Sequence, residues 1–457
     1  MDKNQAQESI KETFEKKFDK VRFSRFIVEL LNLKSTSIAD PGVTFNIEQV
    51  PNTYKPFINS FKKITDYKSD KDILDVLVIR LNKESAIERA RTMQRNFVAW
   101  YLKGDCDGEI KDAVLAAFVA PDEKDWRFSL IKMDYSLGED KKGRAKISEE
   151  FTPAKRWSFL VGANEKSHTA QSQLIDLLVK DEETITLTQL EEAFNVEKVT
   201  KEFFNKYREL FFNTKESLDE IVSKDKKIKA EFKEKNIDRV DFAKKLLGQI
   251  VFLYFLQKKG WFGVTRDEDW GTGPKNFIRE LFRGKHGKYI NFFNDILEPL
   301  FYEALRNDRR YDDGYYSRFD CKIPFLNGGL FDPIGNYNWV KTDIKLPNDL
   351  FSNSDKIKEG DTGIGILDVF DRYNFTVQED EPLEKEVAID PEMLGKVFEN
   401  LLEVKDRKSK GTYYTPREIV HYMCQQSLIN YLTVELEDKV KKKDIKSLLK
   451  YGEHKKE

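Results

Sequence analysis

Apolar side chains in the first third of the chain alternate between two spacings. Residues 8–32 and 85–103 carry apolar positions every three to four residues, which predicts helices. Four shorter segments are continuously apolar or alternate with polar residues, which predicts strands. These segments are 73–81, 112–120, 126–137 and 156–162. The order of elements predicts a small α/β domain over residues 1–165.

From His168 onward helical spacing dominates. The candidate helices are 168–179, 187–194, 199–222, 238–259, 274–283, 287–306, 390–403 and 416–434. The most apolar run, 246–256, is too short to cross a bilayer and predicts a buried helix. The lysine-rich segment 224–235 is typical of a solvated helix face.

We therefore expect an α+β protein in three parts. The small α/β domain (1–165) is followed by a helical connector (166–380) and by the helical start of a further domain (381–457). The final residues, EDKVKKKDIKSLLKYGEHKKE, contain no cap or closing strand. This pattern predicts that the last domain is interrupted here.

Composition sets broad limits. Across 457 residues, Lys plus Arg (78) nearly equals Asp plus Glu (80), so a net charge of −2 neither requires nor excludes nucleic acid. Cys106, Cys321 and Cys424 show no C-x-x-C spacing, which argues against a disulfide framework or a zinc site. The charged N-terminus does not resemble a secretory signal. We expect a cytoplasmic protein.

A helix start near residue 415 is the strongest local signal. Thr415, Pro416 and Glu418 form a T-x-x-E capping box with proline in the first turn. The apolar positions behind this cap predict a buried amphipathic helix. Tyr413 and Tyr414 lie at the helix mouth, where free N–H groups and the positive dipole end suit a ligand with a carboxylate. An ordinary capped helix with surface tyrosines remains the alternative.

The string around this cap resembles a known family. Residues 388–432 are similar to the start of the methyltransferase region in Eco57I-like type IIG restriction-modification enzymes and type I adenine-N6 DNA methyltransferases. Segments 245–263, 325–333 and 373–402 resemble upstream segments of the same proteins, in the same order. The resemblance implies S-adenosylmethionine as cofactor and double-stranded DNA as partner. The implied cofactor residues are Thr412, Tyr413, Tyr414, Thr415 and Pro416.

Two elements that methyl transfer needs in this family are absent from the sequence. No Asn-Pro-Pro or Asp-Pro-Pro tripeptide occurs. The glycine-containing segments 271–276, 331–335 and 360–366 lack the strand-to-helix context of a cofactor turn and are interpreted as loops. We therefore expect this chain to be inactive alone, and a second chain could carry the rest of the transferase.

The resemblance also implies a nuclease-like first domain. Enzymes with the PD-(D/E)xK arrangement bind Mg²⁺ through an aspartate and an acidic-x-Lys segment on neighbouring strands. Asp75 is the candidate metal ligand and catalytic acid, with Lys83 as its partner. Leu81 occupies the position of the second acid, and Glu84 and Glu88 would need a shifted geometry. A degenerate nuclease-like fold is therefore expected.

Two arginines in the predicted helix 85–103 are candidate DNA contacts. Arg91 and Arg95 lie one turn apart, where their guanidinium groups could meet phosphates. They could equally pair with Glu84 and Glu88 on the same helix. Both interpretations stay open at this point.

The leading hypothesis is that this chain is the N-terminal portion of a restriction-modification adenine DNA methyltransferase. A linked endonuclease activity could accompany the methyltransferase. Two alternatives remain: a non-catalytic DNA-binding or assembly subunit of a defence system, and a stand-alone Mg²⁺-dependent nuclease.

Overall fold

The computed structural model describes most of the chain in two compact units, Met1–Pro391 and Glu392–Glu457. The residues outside the description are 35–41, 70–71, 84–86, 88–89, 134–136, 140–144, 148–153, 181–183, 327, 357–361, 378–382, 392–394, 396–414, 416, 437–438 and 452–457. Among the described helices, none combines the length and the apolar character needed to cross a membrane.

The first unit contains a mixed seven-stranded sheet. In chain order the strands are β1 (Val43–Thr44), β2 (Ile58–Ser69), β3 (Asp72–Leu81), β4 (Ala113–Val119), β5 (Asp125–Lys132), β6 (Leu137–Glu139), β7 (Ala145–Ile147), β8 (Lys155–Gly162), β9 (Tyr315–Tyr316), β10 (Cys321–Lys322) and β11 (Glu384–Glu386). The large sheet has the order β1-β2-β3-β4-β5-β8-β11. Its β3–β4 and β8–β11 pairs are parallel and the others antiparallel.

Most of the described α-helices follow β8 in the sequence. The helices are α1 (Lys3–Phe14), α2 (Lys20–Leu30), α3 (Arg91–Leu102), α4 (His168–Leu178), α5 (Leu187–Ala193), α6 (Val196–Lys224), α7 (Lys226–Glu234), α8 (Arg239–Lys258), α9 (Phe277–Phe282), α10 (Asn348–Phe351), α11 (Ile366–Arg372), α12 (Arg417–Glu435) and α13 (Lys442–Tyr451). The mixed α+β class is therefore confirmed.

Helix α3 makes the crossover that the parallel β3–β4 pair requires. Its apolar side chains, including Phe97 and Val98, pack on one face of the sheet beside Leu77 and Ile79. The opposite face holds an aromatic layer from α1 and α2, where Phe14 meets Trp126 edge-on with ring centres 5.4 Å apart. Both faces of the central strands are thus buried, which explains why those strands are almost entirely apolar.

The predicted strands 73–81, 112–120 and 156–162 are confirmed to within a residue, and 126–137 ends earlier, at Lys132. Strand β2 was not predicted. Its buried residues Ile58, Phe61 and Ile64 are spaced by three, because register shifts occur between Ile58 and Ser60 and between Lys63 and Thr65. Such bulges add a residue to one strand and break the period of two.

The helical predictions hold over most of the first unit. Helix α8 is buried through 246–256 apart from partly exposed positions such as Phe252. In α7 only Ile228 and Phe232 are buried, so the lysine-rich segment is a solvated helix face. The predicted helix 287–306 is shorter and runs over 292–304, with π-helical turns at Phe293–Leu297 and Leu300–Ala304. Most of the predicted helix 390–403 lies outside the described residues. The glycine segment 271–276 is a turn.

The second unit corrects one expectation. Helix α12 forms as predicted, and it packs against α13. Its apolar face was expected to be buried, yet Val420, Met423 and Tyr431 are 43%, 58% and 61% exposed, whereas Ile429 is buried. An apolar stripe becomes buried only where another element covers it, and the described part of this unit covers only a portion of the stripe.

Candidate functional site

A cluster of charged groups is buried beneath α3, at the start of β3. Asp75 shares its sheet face with Leu77 and Ile79, because side chains alternate along a strand. Its side chain is 1% exposed. The Tyr101 hydroxyl of α3 donates to Asp75 Oδ2 at 2.6 Å. The predicted catalytic acid is therefore an interior residue with a helix packed over it.

Two lysines approach the same carboxylate. Lys63 Nζ of β2 lies 3.7 Å from Asp75 Oδ2, and Lys111 Nζ lies 3.8 Å from it. Lys111 is itself fully buried and donates to both oxygens of Asp107, at 2.7 and 2.8 Å, and to the carbonyl of Glu109. We call Lys63, Asp75, Tyr101, Asp107 and Lys111 the Asp75 cluster.

Burial sets the protonation of this cluster. It raises the pKa of Asp75, although the Tyr101 hydroxyl and the two lysines act in the opposite direction. Burial also raises the pKa of Tyr101, and the neighbouring Asp75 raises it further. Tyr101 therefore stays neutral and keeps the proton that it donates to the carboxylate.

The Asp75 cluster does not fit a magnesium ion. A dication needs several carboxylate or carbonyl oxygens, whereas Asp75 has two ammonium groups within 4 Å. No group of three His, Cys, Asp or Glu side chains suited to a metal occurs among the described residues.

Lys83 does not complete a centre with Asp75. It is exposed, two residues beyond the end of β3. The strand alone carries the chain about 20 Å from Asp75 to Leu81 before Lys83 is reached. The lysines beside Asp75 are instead Lys63 and Lys111. The string Glu109-Ile110-Lys111 is an acidic-x-Lys segment just before β4, a signal that could have drawn attention to Lys111.

A second buried network lies further across the same face. Arg91 Nε donates to Glu384 Oε1 at 2.7 Å, and Arg127 Nη1 donates to Glu386 Oε2 at 2.9 Å. Arg156 Nη2 is 3.3 Å from Glu384 Oε1. All five side chains are at most about one-tenth exposed. We call Arg91, Arg95, Arg127, Arg156, Glu384 and Glu386 the arginine–glutamate network.

The charges in this network depend on one another. Burial raises the pKa of Glu384 and Glu386, but the surrounding arginines outweigh it, so both pKa values lie below the usual range. Burial lowers the pKa of Arg156 to about 9, and Glu384 acts against that shift. The carboxylates therefore stay ionised at neutral pH because the guanidinium groups are close.

This network revises the expected role of Arg91 and Arg95. They lie on one helix turn, as predicted, but they are 9% and 3% exposed and face inward. Arg95 Nη1 lies 3.8 Å from Glu384 Oε2. The carboxylates come from β11, almost three hundred residues away in the sequence, and Glu84 and Glu88 lie outside the described residues. A guanidinium held in the interior is not positioned for a DNA phosphate.

The predicted cofactor residues Thr412, Tyr413, Tyr414 and Pro416 lie outside the described residues. Thr415 is described and exposed. Their role as a pocket wall therefore remains a prediction.

Comparison with known proteins gives a match over half of the chain. Over 254 residues, 51% of this chain, the sequence is 29% identical to a Methanocaldococcus jannaschii protein named "Putative type II restriction enzyme and methyltransferase". The aligned region covers 19% of that protein. No family model matches the chain, and no solved structure gives a significant match. Half of this chain is thus similar to about a fifth of a protein that is named a putative restriction enzyme and methyltransferase.

Proposed function

We propose that this chain is the N-terminal portion of a restriction-modification DNA methyltransferase that methylates adenine N6 with S-adenosylmethionine. The observation that carries the proposal is the 254-residue similarity to the M. jannaschii protein. Segments 245–263, 325–333, 373–402 and 388–432 follow one another along the chain in the same order as the segments of that family that they resemble. They support the Eco57I-like, type IIG assignment, with a role in phage defence.

In this proposal Thr412, Tyr413, Tyr414, Thr415 and Pro416 form one wall of the cofactor pocket. The cofactor supplies the methyl group. Tyr413 and Tyr414 would supply aromatic surface for its apolar part, and the N–H groups at the start of α12 would be available to its carboxylate. The gripping of the target base is assigned to residues outside this chain, since the sequence has no Asn-Pro-Pro-Tyr loop.

The N-terminal sheet has a structural role in the proposal. A cutting centre needs an exposed carboxylate cluster, whereas Asp75 is buried between two lysines. The stand-alone Mg²⁺ nuclease is thus disfavoured by the residues described. Double-stranded DNA is the proposed partner of the complete enzyme.

The test is co-expression of this chain with the polypeptide that supplies the rest of the transferase, in a host without adenine methylation. Genomic DNA is then read for N6-methyladenine at one recurring sequence. The double substitution Tyr413→Ala, Tyr414→Ala should abolish the mark. Tyr422→Ala, which changes a 62% exposed tyrosine of α12, is the matched control and should leave the mark intact.

Each other outcome has a defined meaning. Absence of adenine methylation with the unaltered pair contradicts the proposal. If deleting this chain abolishes the mark while the double tyrosine substitution leaves it unchanged, the chain is an assembly subunit and the cofactor assignment fails.

A further inference from the structure

An open cleft with aromatic walls lies in the first unit, away from both buried charge clusters. Its volume is about 520 Å³, within the range of about 300–1,000 Å³ typical of small-molecule pockets. The residues lining it are Trp261, Trp270, Arg310, Asp313, Gly314, Pro324 and Phe325. Trp261 and Trp270 remain 40% and 39% exposed. Large aromatic side chains kept partly open to solvent are typical of binding surfaces.

Trp270 is fixed in position by its surroundings. Its indole Nε1 donates to Asp313 Oδ1 at 3.0 Å. Gly314, with φ +76°, packs against the indole, and a Cβ there would be 2.9 Å from an indole carbon. The ring is therefore held against a backbone position where only glycine fits, while 39% of the residue stays exposed to solvent.

The loop that carries both tryptophans is equally constrained. The Gly260 carbonyl accepts hydrogen bonds from the amides of Gly271 and Gly273, at 3.1 and 3.0 Å. A Cβ on Gly260 would lie 2.3 Å from the Gly271 carbonyl oxygen. This clasp closes the loop between Trp261 and Trp270, so the aromatic surface exists before any ligand arrives.

The charges around the cleft argue against a cationic ligand. Asp313 is the carboxylate of the cleft, and it is already engaged by Trp270 and by the 5% exposed Lys322, whose Nζ is 2.5 Å from its Oδ2. Lys322 Nζ also donates to the Glu268 carbonyl at 2.8 Å. The Asp313 charge is thus neutralised within the protein, and an incoming cation would meet no free carboxylate there.

Arg310 adds a polar edge to the aromatic walls. Its guanidinium lies 5.9 Å from the centre of the Phe325 ring, and its side chain is 80% exposed. The Nε and Nη2 groups donate to Asp308, which holds the guanidinium plane in one orientation. Because Asp308 already pairs with it, Arg310 adds a flat polar surface beside the aromatic rings and no uncompensated charge, which suits a flat, uncharged ring as ligand.

We propose that this cleft binds an unpaired nucleobase of DNA, stacked against the tryptophans and Phe325. The choice of DNA as the source of the base rests on the proposed function, whereas the stacking chemistry rests only on the cleft. Any base can stack on an aromatic face, so the cleft would hold a displaced strand without selecting its sequence.

The test measures binding of the purified 457-residue chain to a fluorescein-labelled single-stranded oligodeoxynucleotide by anisotropy. A second oligonucleotide of equal length carries abasic sites, so that phosphates are kept and bases removed. Binding to the abasic strand should be about five- to a hundredfold weaker, the range expected for loss of aromatic stacking.

Substitutions locate the effect. Trp270→Ala should weaken binding to the normal strand by a similar factor and leave binding to the abasic strand unchanged. Trp270→Leu keeps an apolar side chain next to Gly314 but has no ring, and it should weaken binding as much as Trp270→Ala does. It keeps the prediction testable if the alanine variant fails to fold. Tyr311→Ala is the control, because Tyr311 is 88% exposed and does not line the cleft.

Three results would overturn the inference. The first is equal binding of the unaltered chain to both strands. The second is a Tyr311→Ala variant that weakens binding as much as Trp270→Ala does. The third is competition by free deoxyadenosine monophosphate as strong as that by the oligonucleotide, which would make a free nucleotide the occupant. The methylation readout is independent of this assay. Loss of methylation with intact stacking removes the proposed function alone, and loss of stacking with intact methylation removes only this inference.

Discussion

Removing the charge of Glu386 should loosen the sheet edge on which β8 and β11 meet. Glu386 is 4% exposed, accepts from Arg127 at 2.9 Å and lies 3.5 Å from Arg91 Nη1. Glu386→Gln keeps the size of the side chain but leaves two buried guanidinium groups with less compensating charge. Breaking a buried ion pair from one side costs about 3–5 kcal/mol. Because glutamine still offers an oxygen to Arg127, we expect the lower end of that range.

Hydrogen exchange followed by mass spectrometry resolves this change segment by segment. A loss of about 3 kcal/mol corresponds to roughly hundredfold faster exchange where exchange follows the weakened opening equilibrium. The affected peptides should cover Lys155–Gly162 and Glu384–Glu386, which are paired in the sheet. A two-unit protein need not unfold in one step, so a local measurement is preferable to a single melting temperature.

Asp312→Asn is the matched control. It breaks an ion pair between Arg266 and Asp312 whose side chains are 59% and 39% exposed. Exposed pairs contribute at most about 1 kcal/mol, so exchange should change little. If Glu386→Gln accelerates exchange in β8 and β11 no more than Asp312→Asn does elsewhere, the buried network does not hold this edge and the reasoning is refuted.

Four further predictions use other parts of the molecule. The pKa values of Glu384 and Glu386 lie below the usual 4.5, so their contribution to stability is present above that pH and should be lost as acid titration proceeds through the lowered values, which unfolding curves at successive pH values would detect. Burial raises the pKa of Glu298 to about 9. Between pH 4.5 and 9 the unfolded chain therefore loses this proton while the folded protein keeps it, so the stability of the folded state falls as the pH rises. Glu298→Gln should flatten that dependence between pH 5.5 and 8.5 in thermal melts, and an unchanged slope contradicts the assignment. Gly314→Ala should destabilise the protein more than Gly108→Ala in urea titrations, because both have positive φ but a Cβ at Gly108 meets nothing within 4 Å, and equal losses would show that Trp270 does not press on Gly314. Supercoiled plasmid incubated with the chain and Mg²⁺ should stay intact, and nicking that Asp75→Ala removes would restore the nuclease hypothesis.

Sequence patterns predicted those elements whose burial follows a simple period. Strands β3 and β4 are continuous apolar runs because both faces are covered, and α8 is apolar through its centre for the same reason. Strand β2 was not predicted because its bulges shift the alternation of buried and exposed residues in mid-strand. Strand β11 was not predicted because it is only three residues long. Its buried side chains are the charged Glu384 and Glu386, whereas buried strand positions are usually apolar.

The candidate sites were less accessible to sequence reasoning for a related reason. Arg127 and Arg156 lie within apolar strands, and their partners on β11 are more than two hundred residues away. Nothing local indicates that an arginine in a strand faces a glutamate so distant in the chain. The aromatic cleft likewise combines Trp261 and Trp270, whose loop is closed by the glycine clasp, with Arg310 and Phe325 from a later part of the chain. The glycines alone indicate only a loop.

Through β11, the arginine–glutamate network holds the last part of the first unit on the N-terminal sheet. Strand β11 ends at Glu386, five residues before the first unit ends at Pro391. Its pairing with β8 brings the end of the connector back onto the N-terminal sheet, and the buried charges fix its register, because a slip of one residue would turn both glutamates away from the arginines. The segment that leads into the second unit is therefore anchored to the N-terminal sheet by specific ion pairs. Substitutions in Arg127 or Arg156 should accordingly disturb a segment that adjoins the second unit, although these arginines lie more than two hundred residues before it.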